Sequence, residues 1–141
     1  MHHFNTAQKP YAFTLPGSST ARGNLHFWEN LALFPDGIQR CFWISGVQPG
    51  ETRATHAHWQ ESQVIVAVAG TIHLAIQSVQ GEHFDFELSS SGQTVFIPPL
   101  NWLVASFSPE AVLLGMSDRA FSEEDYIRDL DYFEQLQQRT S

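Results

Sequence analysis

Two histidines separated by one residue, His56 and His58, lie inside a fixed frame of turn residues. The frame reads G-x5-H-x-H-x4-Q-x6-G and runs from Gly50 through Gln63 to Gly70. Residues two apart on a β-strand point to the same face, so both imidazoles project together, either into a barrel lumen or to solvent from an edge strand. Turn glycines at both ends favour the barrel. Gln63 is then either a hydrogen-bonded core amide or a substrate contact.

Much of the chain alternates short apolar runs with turn residues. The runs are about five residues long and recur about every ten residues, which is typical of an all-β sandwich or barrel. They lie at residues 40–45, 64–68, 72–76, 83–88, 94–97, 102–107 and 112–116.

The two ends of the chain differ from this pattern. Residues 1–21 are polar and interrupted by proline and glycine, which predicts an extended arm before a barrel at 22–120. Ser122 followed by carboxylates resembles a capping box, and apolar residues recur at helical spacing from Tyr126 onward. We therefore expect a C-terminal helix within 121–141, packed on the barrel.

Composition narrows the classes of function. The 141 residues are enough for one compact domain. The net charge is −8 and Lys9 is the only lysine, which disfavours a nucleic-acid partner. The single Cys41 cannot form an intrachain disulfide, and no apolar run is long enough to cross a bilayer. We expect a soluble, cytoplasmic protein with no membrane partner.

The histidine motif resembles the first signature of the cupin β-barrels, so we expect their double-stranded β-helix, a jelly-roll barrel, with a C-terminal α-helix. That signature has a glutamate where this chain has Gln63. The second signature, G-x5-P from Gly92 to Pro98, is followed by Leu103 in the place of a histidine. An amide and a leucine do not replace a carboxylate and an imidazole around a divalent metal. We expect a barrel without a metal or other cofactor.

Five motifs carry a wider resemblance. They are R-G-N-L at 22–25, Arg40 before an aromatic pair, R-x-x-H-A-H at 53–58, I-P-P-L-N-W at 97–102 and D-Y-I-R-D-L-D-Y-F at 125–133. They resemble the WxcM-like or FdtA-like cupins, the dTDP-sugar 3,4-ketoisomerases, over about residues 21–136. The last motif is the most specific, because the family's own pattern is D-Y-I-R-D-Y-D-x-F.

This resemblance implies a homodimer with exchanged N-terminal strands that moves a ketone from C4 to C3 of a nucleotide-linked 6-deoxyhexose, with dTDP as the expected nucleotide. It implies that His56 and His58 remove and return the proton through an enediol, for which an imidazole is suited. Trp102 is either a wall of the sugar pocket or a core aromatic. The side chains implied to bind the substrate are Arg53, Arg40, Arg22, Gln63, Trp102 and Trp43.

Two positions depart from the family pattern. Phe42 and Trp43 stand where the family commonly has a tyrosine, so we expect no phenol there. Leu103 stands where relatives often have a polar side chain. These departures leave a second class of function open, a non-catalytic cupin that binds a small ligand or nucleotide-sugar. Gln63 and Leu103 disfavour a third, a metal-dependent oxygenase or isomerase.

Overall fold

The computed structural model describes residues 8–89 and 92–140, which form antiparallel strands and one α-helix. The elements of this part of the chain are β1 (Tyr11–Thr14), β2 (Gly17–Thr20), β3 (Gly23–His26), β4 (Arg40–Ile44), β5 (Thr52–His58), β6 (Gln63–Ala69), β7 (Ile72–Ser78), β8 (His83–Leu88), β9 (Gln93–Ile97), β10 (Asn101–Phe107), β11 (Val112–Ser117), a 3-10 turn (Glu123–Asp125), β12 (Tyr126–Ile127) and α1 (Leu130–Thr140).

The strands form two five-stranded antiparallel sheets. Their orders are β1-β9-β6-β11-β4 and β12-β5-β10-β7-β8, and β2 and β3 form a separate hairpin. Aliphatic side chains from both sheets fill the space between them, and each buried side chain stabilises the barrel by about 1.5–3 kcal/mol. This confirms the predicted all-β jelly-roll barrel. The largest members of this core are Ile65, Ile72, Leu74, Ile76, Leu88, Ile97, Leu103 and Leu113.

Two glycines of the histidine motif have left-handed backbone conformations. The φ angles are 85° at Gly50 and 69° at Gly70. A Cβ atom at Gly70 would also lie 2.6 Å from the Cα atom of Ala111. Glycine is the residue that adopts such conformations without steric cost, so these positions fix where β5 begins and where β6 ends.

The helix α1 covers one side of the barrel. Phe133 and Leu136 are fully buried, and Phe133 packs against Trp102 with ring centroids 5.7 Å apart. Trp102 is therefore a core aromatic, one of the two alternatives for this residue. No helix of residues 8–89 and 92–140 has the length and apolar character needed to span a membrane.

The helix begins at Leu130 rather than at Ser122. Ser122 makes no side-chain capping hydrogen bond. Tyr126 and Ile127 instead extend and pair with His58 and Ala57 as strand β12. Tertiary pairing with β5 thus overrides the helical spacing of the apolar residues.

The segment 1–21, which the sequence predicts as an extended arm, contributes the two strands β1 and β2. β1 pairs with β9 at the edge of the first sheet, and β2 pairs with β3. Residues 1–7 of the predicted arm lie outside the part that the structure describes.

Candidate active site

A cavity of about 570 Å³ opens between β4, an edge strand of one sheet, and β5 of the other. Five of the predicted site residues line it: His56, Arg53, Arg40, Trp43 and Gln63. Side chains from four further strands complete its wall. The other residues that line it are Phe42, Ile44, Thr52, Ala54, Thr55, Ile65, Leu103, Ala105, Leu113, Tyr126 and Arg128.

Three predicted site residues do not line this cavity. His58 is 7% exposed and lies behind His56, next to a cavity of only about 10 Å³. Arg22 is exposed in the turn between β2 and β3. Trp102 packs under α1, away from both histidines.

A bulge in β5 sets the orientation of His56. The φ angles of Ala54 and Thr55 are 75° and 50°, and the pairing with β10 shifts register between Leu103 and Val104. Left-handed conformations are costly for non-glycine residues, especially β-branched ones. The bulge places the Ala54 carbonyl oxygen 2.8 Å from Nδ1 of His56.

This hydrogen bond defines the tautomer of His56. A carbonyl oxygen only accepts, so Nδ1 of His56 carries the proton and Nε2 keeps a free lone pair. Burial lowers the pKa of His56, and the charges of Arg128 and Arg40 lower it further, while the Ala54 hydrogen bond and Glu123 oppose them. His56 is therefore neutral at pH 7 and able to accept a proton.

His58 is held on both sides of its ring. Its Nδ1 lies 3.2 Å from Oδ2 of Asp125, its Nε2 lies 3.5 Å from Nε2 of Gln63, and its ring centroid lies 4.9 Å from that of His56. Despite the nearby carboxylates, the pKa of His58 is lowered to about 3, chiefly by burial and then by repulsion from His56, Arg40 and Arg128. His58 is thus a neutral donor to Asp125 and an acceptor from Gln63.

Asp125 anchors this arrangement through the backbone. Its Oδ1 accepts from the backbone amide of Gln60 at 2.8 Å, and its Oδ2 accepts from that of Glu61 at 3.0 Å. The same Oδ2 faces His58. The aspartate of the D-Y-I-R motif therefore fixes both the turn after β5 and the orientation of the His58 ring.

Glu61 is a buried carboxylate in the segment between β5 and β6. Its side chain is 1% exposed and pairs with Arg40, which is 20% exposed, at 2.7 Å. Gln63 donates to the same oxygen at 2.5 Å. Burial raises the pKa of Glu61, and the bonds from Gln63 and Arg40 oppose the shift. Much of the positive charge of Arg40 is compensated by this carboxylate.

The other two arginines of the cavity differ in their partners. Arg128 pairs with Glu123 at 2.6 and 3.0 Å and lies 4.1 Å over the ring of Tyr126. Arg53 is exposed and has no carboxylate within 4.0 Å among the residues that the structure describes. Arg53 is therefore the cation of this cavity that is most available to an anionic ligand.

The sequence reading missed Tyr126 and Arg128 as cavity residues. The ring centroid of Tyr126 lies 4.8 Å from that of His56 and 4.3 Å from that of His58. The two residues are two positions apart, so they share a face if the segment is extended. Because the apolar residues from Tyr126 onward recur at helical spacing, the sequence predicts a helix here rather than an extended segment.

The residues present do not fit the metal of the cupin fold. Leu103 and Gln63 occupy the cavity wall beside His56 and His58, in place of two ligands. His58, Glu61 and Asp125 place potential ligand atoms within 4.8 Å of one another. However, Arg40 and Gln63 already donate to Glu61, so a divalent cation would have to displace a guanidinium.

A larger groove of about 1160 Å³ lies on the side of the helix and contains neither histidine. Trp59, Arg119 and Tyr132 are among its lining residues. The cavity of about 570 Å³ combines Nε2 of His56 with three arginine side chains, so we take it as the candidate active site.

Comparison with known families agrees with this geometry. The family model described as "FdtA: WxcM-like, C-terminal" matches residues 9–138. The chain belongs to this family, which confirms the prediction made from its motifs.

One relative and two solved structures illustrate what the chain is similar to. The TDP-4-oxo-6-deoxy-alpha-D-glucose-3,4-oxoisomerase of Aneurinibacillus thermoaerophilus is 27% identical over 117 residues, 80% of this chain and 81% of that protein. The structure of a 3,4-ketoisomerase from Helicobacter canadensis is 26% identical, with a TM-score of 0.83 over 92% of this chain and 97% of the other.

The third is QdtA, a sugar 3,4-ketoisomerase from Thermoanaerobacterium thermosaccharolyticum, solved in complex with TDP. It is 24% identical and has a TM-score of 0.85 over 95% of this chain and 98% of the other. At this identity it supports the shared cupin fold. The names of the first two relatives agree with the isomerase class that the motifs predict, and confirm it.

Proposed function

We propose that this chain is a 3,4-ketoisomerase of a nucleotide-linked 4-keto-6-deoxyhexose, with a TDP-linked sugar as its substrate. The observation that carries the proposal is Nε2 of His56, which has no hydrogen-bond partner among the described residues and belongs to a neutral base beside a cavity lined by three arginines. The volume of about 570 Å³ suits a small-molecule ligand. The activities named for the relatives support the same reaction.

His56 removes the proton from C3 of the sugar and returns it at C4 through an enediol. The C3 proton is acidic because C3 is next to the C4 ketone. A base works best when its pKa lies near the working pH and it is held within reach of that proton. His56 meets the second condition because the β5 bulge and the Ala54 hydrogen bond fix its ring.

His58 is assigned a positioning role in this scheme. Its ring packs edge-on against His56, and its two nitrogens face Asp125 and Gln63 rather than the cavity that contains His56. A fixed His58 restricts the rotation of His56. Gln63 holds both His58 and Glu61, so it acts as a structural amide as well as a lining residue.

The nucleotide part of the substrate binds in the part of this cavity that Arg53 and Trp43 line. Arg53 donates to the diphosphate because its guanidinium is not committed to a carboxylate of the described residues. Arg40 and Arg128 add positive charge that Glu61 and Glu123 partly compensate. Trp43, 72% exposed at the rim, offers an aromatic face on which the nucleobase can stack.

We further propose a homodimer in which N-terminal strands are exchanged. The β2–β3 hairpin pairs with neither large sheet in the described chain, and β4 is an edge strand. Leu25 is 61% exposed and Phe27 45% exposed, and apolar surface of this kind marks interfaces. Exchange also gives Arg22 a role, because a second copy can bring it to the substrate.

This dimer is tested by light scattering at micromolar concentration. The wild type is expected to have twice the mass of one chain, and a Leu25→Glu/Phe27→Glu variant to be monomeric. A wild type with the mass of a single chain would contradict the dimer.

Phe42 and Leu103 favour a second candidate function, a non-catalytic cupin that binds a nucleotide-sugar in the same cavity. Both place apolar side chains in the wall of the cavity that contains His56. We propose a cytoplasmic location for either function, because the exposed, unpaired Cys41 stays reduced there.

One experiment separates the two functions. The protein is incubated with TDP-4-keto-6-deoxyglucose carrying 13C in the sugar, and the carbonyl resonance is followed by NMR. An isomerase moves the carbonyl from C4 to C3. Tight binding without movement of the carbonyl favours the binding function, and the absence of both refutes the nucleotide-sugar proposal.

A further inference from the structure

The proposed isomerisation moves two protons, and His56 accounts for only one. The carbon-bound proton passes from C3 to C4, and a second proton passes from the C3 hydroxyl to the C4 oxygen. Nδ1 of His56 is bonded to Ala54, so the ring has a single free nitrogen. His58 is buried and its nitrogens are engaged by Asp125 and Gln63. The oxygen-bound proton requires another group.

Few cavity residues have a proton of suitable acidity. Arginine stays protonated in proteins, and the hydroxyls of Thr52 and Thr55 are far less acidic than a phenol. Phe42 carries no hydroxyl. Tyr126 also lines the cavity and carries a phenol hydroxyl. The other tyrosines of the sequence, Tyr11 and Tyr132, do not line it.

The setting of Tyr126 suits proton transfer. Its side chain is half-buried, and its ring lies edge-on to His56 with centroids 4.8 Å apart. The guanidinium of Arg128 lies 4.1 Å from the ring centroid, and the Phe121 ring packs at 5.6 Å. These contacts hold the ring in place beside the base.

We propose that Tyr126 is a catalytic residue whose phenol carries the proton between the two sugar oxygens while His56 carries the proton between the two carbons. The proposal rests on the isomerase function proposed above. It also assigns a phenol to this site although Phe42 and Trp43 provide none.

The two half-reactions balance. In the first, Nε2 of His56 takes the C3 proton, the C–H electron pair becomes the C3–C4 double bond, and the C4 oxygen takes the proton of Tyr126. In the second, the tyrosinate takes the proton of the C3 hydroxyl, the C3 ketone forms, and the protonated His56 delivers its proton to C4. Both residues return to their starting states.

Tyr126→Phe tests the proposal because it keeps the ring and removes only the hydroxyl. We expect kcat for isomerisation to fall about 100-fold, the scale for losing a general acid or base, with the Kd for TDP and the melting temperature unchanged. Tyr132→Phe is the matched control: it removes the same group from a residue outside the cavity and is expected to retain wild-type kcat.

Two results would overturn the role of Tyr126 while leaving the isomerase function in place. The first is a Tyr126→Phe variant with kcat within about threefold of the wild type. The second is a Tyr126→Phe variant whose loss of rate is matched by an equal loss of TDP binding. A wild type that neither isomerises the sugar nucleotide nor exchanges its ring protons overturns the isomerase function and this role together.

Discussion

Leu103 on β10 is the direct strand partner of His56 on β5. The leucine belongs to the buried core between the sheets and is 5% exposed. It occupies the position where a metal-binding cupin is expected to have a histidine. The side chain thus removes a metal ligand and adds to the burial that lowers the pKa of His56.

The first prediction concerns metal content. Purified protein is expected to contain no stoichiometric Zn, Fe, Mn or Ni, because an amide and a leucine replace two of four ligands. Elemental analysis measures this directly. The double variant Gln63→Glu/Leu103→His restores the ligand set and is expected to gain affinity for Zn²⁺. About one tightly bound metal per wild-type chain, lost in His56→Ala, would contradict the account.

The second prediction concerns the buried pair of Arg40 and Glu61. Glu61→Ala leaves a largely buried guanidinium unpaired and is expected to lower the free energy of unfolding by about 3 kcal/mol. Urea denaturation measures the change. The control is Glu82→Ala, because Glu82 pairs with Lys9 on the surface and such pairs contribute about 0–1 kcal/mol. If Glu61→Ala and Glu82→Ala lower the free energy of unfolding equally, burial does not make the Arg40–Glu61 pair more important for stability than a surface pair.

The third prediction concerns acid stability. The pKa of His58 is near 6.5 when unfolded and about 3 when folded. The unfolded chain therefore binds a proton first as the pH falls, so stability is complete above pH 6.5 and declines toward pH 3. Unfolding free energies at pH 7, 6 and 5 measure the slope. His58→Gln is expected to reduce that slope, whereas His83→Gln, at an exposed position, is expected to leave it unchanged. Identical slopes in all three proteins would refute the prediction.

The fourth prediction concerns nucleotide binding. Arg53→Ala is expected to weaken the binding of TDP about 10-fold or more, since a charge-assisted hydrogen bond contributes about 1.5–3 kcal/mol. Isothermal titration calorimetry gives the Kd. Arg139→Ala removes an exposed arginine from the far end of α1 and serves as the control. If both variants bind TDP as tightly as the wild type, the diphosphate does not bind at Arg53.

The sequence predicted the strands and the shared face of the two histidines because both follow from local patterns. Alternating apolar residues define β7 and β8, and the H-x-H spacing predicts that the side chains of His56 and His58 share a face, where their rings are in contact.

Other parts of the site depend on long-range contacts that no local pattern records. The left-handed Ala54 and Thr55 are residue types that rarely adopt this conformation, so the bulge that orients His56 left no sequence signal. Glu61 is a polar residue in a turn-like segment, and only the distant Arg40 accounts for its burial. Tyr126 follows a helical pattern in sequence but pairs with β5 in the fold.

The central claim is that Nε2 of His56 removes a proton from the sugar ring, and deuterium exchange tests it most directly. The protein is incubated with TDP-4-keto-6-deoxyglucose in D2O, and deuterium at the ring carbons is measured by mass spectrometry and NMR. We expect incorporation by the wild type and a decrease of about 100-fold or more in His56→Asn, with TDP still bound. The deuterium incorporation by His58→Asn is expected to decrease less, because His58 acts by positioning His56. A His56→Asn variant that exchanges within about threefold of the wild-type rate would contradict the claim.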